Sequence, residues 1–155
     1  MGIDEKLLEM GIKIPEAPRP VASYVPGLIC GNLLYVSGQF PLHEGRLLAE
    51  GKLGRDVDIE SGKAAARQAG INCLGVIKSL IGSLERVERI VKITGYVQSV
   101  ENFYDQPQVI NGVSDLMIEI FEEKGRHARV AVGVNVLPLN APCEIELIAQ
   151  IKDEC

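Results

Sequence analysis

Arg129 and Glu144 are the two residues whose types could together act on a small organic acid. A guanidinium binds a carboxylate through two parallel hydrogen bonds. A carboxylate can orient or deprotonate a water molecule when the electrophile is already reactive. The ordinary alternatives are a salt bridge between the two side chains and a solvated arginine at the end of a strand. The sequence leaves these alternatives open.

The segment from Arg129 to Val136 alternates as a β-strand does, with successive side chains on opposite faces. One face would carry valines into the core, at positions 130, 132, 134 and 136. The other would carry Arg129 beside the small residues Ala131 and Gly133, with Asn135 beyond them. We therefore expect Arg129 to point away from the core into a hollow, with Glu144 at the start of a strand that could lie next to it.

Three further polar residues are candidates for the same site. Tyr24 and Ser37 lie on a predicted hairpin, and Asn111 lies one turn after Pro107 in a predicted helix. Their ordinary roles would be a half-buried tyrosine with a wet hydroxyl and a polar position on a helix surface. His43 and His127 are the only histidines, and no carboxylate stands near them at ligand spacing, so no metal site is expected.

Composition narrows the class of protein. The 155 residues favour one domain, 1–155, and 46% hydrophobic residues indicate an ordered core. The net charge of −5, the pI of about 5.1 and the lack of a basic run argue against nucleic acid as a partner. The four cysteines show no paired spacing and are interpreted as small core residues, with Cys155 as a tail. With no signal peptide and no apolar run of about 18 residues, the chain is predicted to be cytoplasmic and without a membrane span.

Periodicity and turn residues predict the order ββαβαββ after a short first helix at residues 4–11. A hairpin at 22–37 turns at Gly31-Asn32, and residues 41–57 form a loop. One helix starts after Asp56 or Asp58 and stops at Gly82. Another has Pro107 in its first turn and ends at Gly125. Strands at 90–97, 129–136 and 143–151 complete an α+β domain with both helices on one side of the sheet.

The open side of that sheet is expected to carry Arg129, Ala131, Gly133 and Asn135 with Glu144, Glu146 and Ile148. Such a face is too polar for a core and too flat for open water. Contact between the sheets of identical subunits would cover it, so we predict a closed homo-oligomer with sites at its interfaces.

Three motifs, in order, resemble the Rid family of reactive-imine deaminases, also called the L-PSP or translation-inhibitor endoribonuclease family. They are the run from Gly31 to Gln39, the strand that starts at Ala128-Arg129-Val130 and ends in Leu137-Pro138, and the run from Cys143 to Glu146. The resemblance covers about residues 17–152. It leaves residues 1–20 as an N-terminal extension.

The resemblance implies a chorismate-mutase-like fold with a mixed sheet, assembled as a homotrimer around a central barrel with clefts between subunits. It also implies hydrolysis of 2-imino and enamine acids to 2-keto acids and ammonia, without a cofactor or a metal. By resemblance, Arg129 grips the substrate carboxylate and Glu144 is associated with water. Tyr24, Ser37 and Asn111 complete the substrate-binding cleft.

The chain departs from the best-known deaminases in several places. Ala131 replaces a common cysteine, and the loop at 42–55 and the segment at 125–127 differ. These differences bear on substrate choice more than on the carboxylate clamp. Two other functions stay open: a non-catalytic trimer that binds a small carboxylate, and the ribonuclease or translation-inhibitor role of the family name.

Overall fold

The computed structural model of the protein describes residues 1–19 and 23–153. Its elements are α1 (Ile3–Glu9), β1 (Gly27–Cys30), β2 (Leu33–Gln39), β3 (Leu42–His43), β4 (Arg46–Leu47), α2 (Ile59–Ile81), β5 (Val87–Gln98), α3 (Gln106–Phe121), β6 (Ala128–Val134) and β7 (Cys143–Ile151). This order confirms the predicted α+β succession of strands and helices. The predicted hairpin start at residue 22 and the tail residue Cys155 lie outside the described residues.

The main sheet has five strands in the order β1-β2-β7-β5-β6. β5 and β6 run parallel, and the other neighbouring pairs are antiparallel, so the sheet is mixed. β6 is an edge strand, and β5 separates it from β7. Arg129 and Glu144 therefore do not stand on neighbouring strands, although the sequence left that arrangement open.

Helices α2 and α3 pack on one face of the sheet because each has an apolar stripe that must be buried. The Asp58 side chain caps α2 by accepting a hydrogen bond from the Ser61 backbone N–H at 2.7 Å. Gly82 ends that helix with a φ of 79°, and Pro107 lies in the first turn of α3. These signals were the ones that the sequence analysis used for both helices.

The predicted loop at 41–57 is more ordered than expected. Strands β3 and β4 form a small hairpin within it, turning at Glu44-Gly45, where both φ angles are positive. Leu53 is fully buried, and its backbone N–H donates to the Gln98 carbonyl at 2.9 Å. The buried Leu53 therefore holds the loop against the rest of the domain. The glycines and prolines that predict the loop do not indicate this apolar contact.

The cysteines were predicted to be core residues. Cys73 and Cys143 are buried, whereas Cys30 at the end of β1 is exposed, so the prediction was wrong for Cys30. Among the described residues, no helix is long and apolar enough to cross a membrane.

The two faces of β6 are reversed relative to the sequence prediction. Arg129 pairs in register with the buried Ile93, and both side chains lie on the helix side of the sheet. Ala131 lies on the same side and packs against the core. A Cβ at Gly133 would press on Gln106 of α3. The valines lie on the open face instead, where Val130 is 45% exposed. Alternation fixes which residues share a face, but not which face the helices cover. Here α3 approaches the strand so closely that small residues are needed beneath it.

Candidate functional site

Arg129 lies at the start of the edge strand, between the sheet and helix α3. Its Nη1 donates to Asn111 Oδ1 at 2.7 Å and to Ser114 Oγ at 3.2 Å. Asn111 and Ser114 are three residues apart on α3, so they present side chains to the same surface. The structure thus joins Arg129 and Asn111, two of the predicted site residues, and adds Ser114.

The guanidinium of Arg129 is half-buried and has no acidic partner among the described residues. Its hydrogen bonds there all leave from Nη1, which leaves Nε and Nη2 unpaired toward solvent. This excludes the salt-bridge alternative within the described part of one chain. A cation that is anchored by neutral oxygens along one edge and free along the other has the geometry that a carboxylate ligand requires.

His127 continues this cluster on the helix side of β6. Its Nε2 lies 2.9 Å from Ser114 Oγ, and its Nδ1 lies 2.6 Å from the Gly125 carbonyl oxygen. Burial of the ring and the positive charge of Arg129 lower the pKa of His127 below 6.5, although the Gly125 carbonyl acts in the opposite direction. The neutral imidazole therefore predominates at pH 7.

Sequence reasoning missed Ser114, and it considered His127 only as a metal ligand. The spacing of these residues in the sequence could have indicated the cluster. Asn111 and Ser114 share one face of a helix, while His127 lies two residues before Arg129 in the segment that leads into β6. Within the part of the chain that the structure describes, no group of three or more potential ligands could hold a metal ion.

Glu144 lies on the opposite, open face of the sheet. It pairs in register with Tyr96, whose register partner on the other side is Val132. Partial burial, and next the charge of Glu146, raise the pKa of the Glu144 carboxyl above its ordinary 4.5. Glu146 itself accepts a hydrogen bond from the Tyr96 hydroxyl at 2.9 Å.

Ser37 lies beside Glu144 through its neighbour Gly38, and Tyr24 shares a cavity wall with Gly38. Gly38 packs directly against Glu144, and any Cβ there would collide with the carboxylate. The adjacent Ser37 hydroxyl donates to the Val25 carbonyl at 2.7 Å and so fixes the segment that carries Tyr24. Tyr24 is 61% exposed and lines a cavity of about 530 Å³ whose wall includes Gly38.

Among the predicted site residues, Arg129 and Asn111 lie on the opposite face of the sheet from Ser37 and Glu144, and Tyr24 is linked to the second pair through Gly38. We call Arg129 and Asn111, with Ser114 and His127, the arginine group. We call Tyr24, Ser37 and Glu144 the glutamate group. One copy of the chain does not bring the two groups together, so the single hollow expected from the sequence is wrong for an isolated chain.

This chain is similar to known proteins over most of its length. It matches the family described as "YjgF/chorismate_mutase-like, putative endoribonuclease" over residues 4–151. Protein TCP17 of Trypanosoma cruzi is 38% identical over 148 residues, which are 95% of this chain and 92% of that protein. The 2-iminobutanoate/2-iminopropanoate deaminase of Dermatophagoides farinae is 31% identical over 143 residues, or 91% of this chain and 95% of that protein.

Solved structures share the whole fold. A protein of unknown function from Agrobacterium tumefaciens superposes with a TM-score of 0.91 at 45% identity, over 97% of this chain and 92% of the other. A protein from Shewanella oneidensis, described as a "putative endoribonuclease", gives a TM-score of 0.94 at 35% identity, over 97% and 100% of the two chains. These likenesses confirm the chorismate-mutase-like fold that the sequence resemblance implied.

Proposed function

We propose a function from an established premise: this chain belongs to the YjgF/chorismate mutase-like family, which also bears the names L-PSP and Rid. The function is the hydrolytic deamination of reactive 2-imino and enamine acids to 2-keto acids and ammonia. The name of the Dermatophagoides farinae relative supports this activity. The observation that carries the proposal is the half-buried Arg129 guanidinium, anchored through Nη1 alone and free to grip a carboxylate.

The reaction requires few catalytic groups from the protein. The oxygen of a water molecule attacks C2 of the protonated imine, the carbon–nitrogen bond breaks, and the protons of water leave with nitrogen as ammonium. A protonated imine is already a strong electrophile, so holding its carboxylate next to an oriented water supplies much of the acceleration. Glu144 is the proposed base, because its raised pKa brings its basicity closer to neutral pH.

The separation of the two groups leads us to propose that each site is completed by a second copy. Arg129 and Asn111 of one copy would face Tyr24, Ser37 and Glu144 of a neighbour. The open sheet face supports this assembly, because it exposes Leu28, Tyr35, Val130 and Val132 at 40–49% of their surfaces. A closed homotrimer with the open faces turned inward would cover them. The single domain with an N-terminal extension, and the cytoplasmic location, stay predictions.

Arg129→Ala tests the proposed activity. A lyase would generate 2-aminoacrylate, and release of the keto acid would be followed with and without the protein. We expect Arg129→Ala to lower the rate enhancement roughly ten- to a hundred-fold, because it removes a charged hydrogen-bonding group. Arg129→Lys should not restore it, since one ammonium cannot reproduce the guanidinium fork.

Arg126→Ala is the matched control, because Arg126 is an exposed arginine that pairs with Glu123 three residues away. It should leave the enhancement unchanged. Equal activity of Arg129→Ala and the wild type would exclude the clamp. A wild type that binds 2-oxobutanoate without accelerating deamination would instead identify a non-catalytic carboxylate-binding protein. RNA cleavage that disappears in Arg129→Ala would favour the ribonuclease role.

A further inference from the structure

The side chains behind Arg129 form a chain of hydrogen bonds whose direction can be worked out. The Gly125 carbonyl can only accept, so His127 Nδ1, 2.6 Å away, must carry a proton. In the neutral imidazole Nε2 then has a lone pair and accepts from the Ser114 hydroxyl at 2.9 Å. The Ser114 oxygen keeps its own lone pairs for Arg129 Nη1, at 3.2 Å. Each group thus determines the role of the next.

Burial makes this order hard to replace with water. Ser114 is 7% exposed, and no buried side-chain nitrogen or oxygen among the described residues lacks a partner. A hydroxyl that did not donate to His127 would be free to rotate and could aim its proton at the guanidinium. That arrangement repels a cation, so the acceptor on His127 selects the rotamer that holds Arg129.

We infer that Ser114 and His127 are positioning residues, which fix the Arg129 guanidinium through a one-way hydrogen-bond relay ending at the Gly125 carbonyl. The inference deepens the proposed function, and its prediction about ligand affinity rests on that function. Neither residue needs to touch the substrate. Their role is to keep Nη1 occupied so that Nε and Nη2 stay presented to a carboxylate.

The test compares His127→Gln with His127→Asn. Both variants remove the ring and its packing, but their amides reach different positions. The Gln carbonyl can extend to the place of Nε2 and accept from Ser114, whereas the shorter Asn reaches only the place of Nδ1. Ser114→Ala removes the relay at its centre. A purely structural role would make Gln and Asn equally harmful.

The first measurement needs no ligand. Nitrogen-15 NMR of the guanidinium reports how fast it rotates, and we expect slow rotation in the wild type and His127→Gln. In His127→Asn and Ser114→Ala it should be at least several-fold faster. Equal rotation rates in all four proteins would overturn the relay. Thermal unfolding identifies any variant that is not folded. Rotation rates are compared only between folded proteins.

The second measurement is calorimetric affinity for 2-oxobutanoate. His127→Gln should bind within about two-fold of the wild type. His127→Asn and Ser114→Ala should bind about five-fold more weakly, the effect of one hydrogen bond. If the rotation rates follow the expected pattern but the wild type does not bind the keto acid, the relay stands and the proposed function fails. If the keto acid binds equally to all four proteins, the relay does not position the clamp.

Discussion

Arg129 has no anionic partner among the described residues, so its half-buried charge must be stabilised by oriented dipoles. Asn111 and Ser114 supply neutral oxygens at 2.7 and 3.2 Å, so the charge is solvated along one edge and left uncompensated along the other. Glu144 is the complementary case, a carboxylate held partly out of water beside a like charge. Glu144 therefore carries a free-energy cost in the isolated chain that an opposite charge would relieve.

Replacement of Glu144 by Gln should reveal this cost. Because the folded pKa lies above that of the unfolded chain, the charged form is disfavoured in the fold. Below about pH 4 both states hold the proton, and no cost remains. We expect Glu144→Gln to raise the free energy of unfolding at pH 7 by less than about 1 kcal/mol, because solvent screens a half-buried group. The gain should disappear as the pH falls toward 4.

Urea unfolding at pH 4, 5, 6 and 7 would measure that difference, with the assembly state held constant. Glu101→Gln, in an exposed loop, is the control for a change of net charge. A stability gain for Glu144→Gln that is the same at every pH would contradict the assigned cause. A loss of stability at pH 7 would show that the carboxylate has a partner that stabilises its charge.

Helix α3 positions the arginine group, and it can do so because it lies very close to α2. At Gly112 a Cβ would run into the backbone of Lys63 on α2, so only glycine permits this approach. The neighbouring residue is Asn111, which anchors Arg129. The distance between the two helices thus determines where the anchor stands.

Gly112→Ala should therefore disturb both stability and the site. Overpacking a buried contact costs about 1–3 kcal/mol, against a gain of about 0.5–1 kcal/mol from replacing glycine in a helix. We expect a net loss of about 1–2 kcal/mol in the free energy of unfolding, and weaker binding of 2-oxobutanoate. Asp115→Ala, on the exposed side of the same helix, should change neither. Unchanged stability of Gly112→Ala would mean that the helices separate without cost.

The elements could be predicted from the sequence where local chemistry decides them. Asp58, Gly82 and Pro107 mark helix ends through caps and a fixed φ, and Gly31 turns the first hairpin with a φ of 63°. The facing of β6 could not be predicted, because an alternating pattern is symmetric until the position of α3 is known. The valines of β6 lie on the open face, where a partner surface would cover them. In the sequence, valines that face a partner cannot be distinguished from valines that face the core.

At the scale of the whole molecule, the fold separates the residues that the family resemblance assigns to one cleft. The resemblance identified Tyr24, Ser37, Asn111, Arg129 and Glu144 together, and it also implied clefts between subunits. The sequence alone could not assign each residue to its side of such a cleft, because that assignment depends on the strand order. With β5 between β6 and β7, and with the two groups on opposite faces, a shared site requires two copies.

Mixing two impaired variants would test this requirement directly. Arg129→Ala keeps an intact glutamate group, and Glu144→Gln keeps an intact arginine group. In an assembly with sites between copies, random mixing at equal amounts places an intact arginine group opposite an intact glutamate group in about one quarter of the sites. We therefore expect co-refolding of the two variants to restore about a quarter of the wild-type activity. Each variant refolded alone should keep only its own residual activity, as should a mixture of the two in which the subunits have not been allowed to exchange. If mass spectrometry shows that the assemblies contain both variants and the co-refolded mixture is no more active than the single variants, each site is built within one chain.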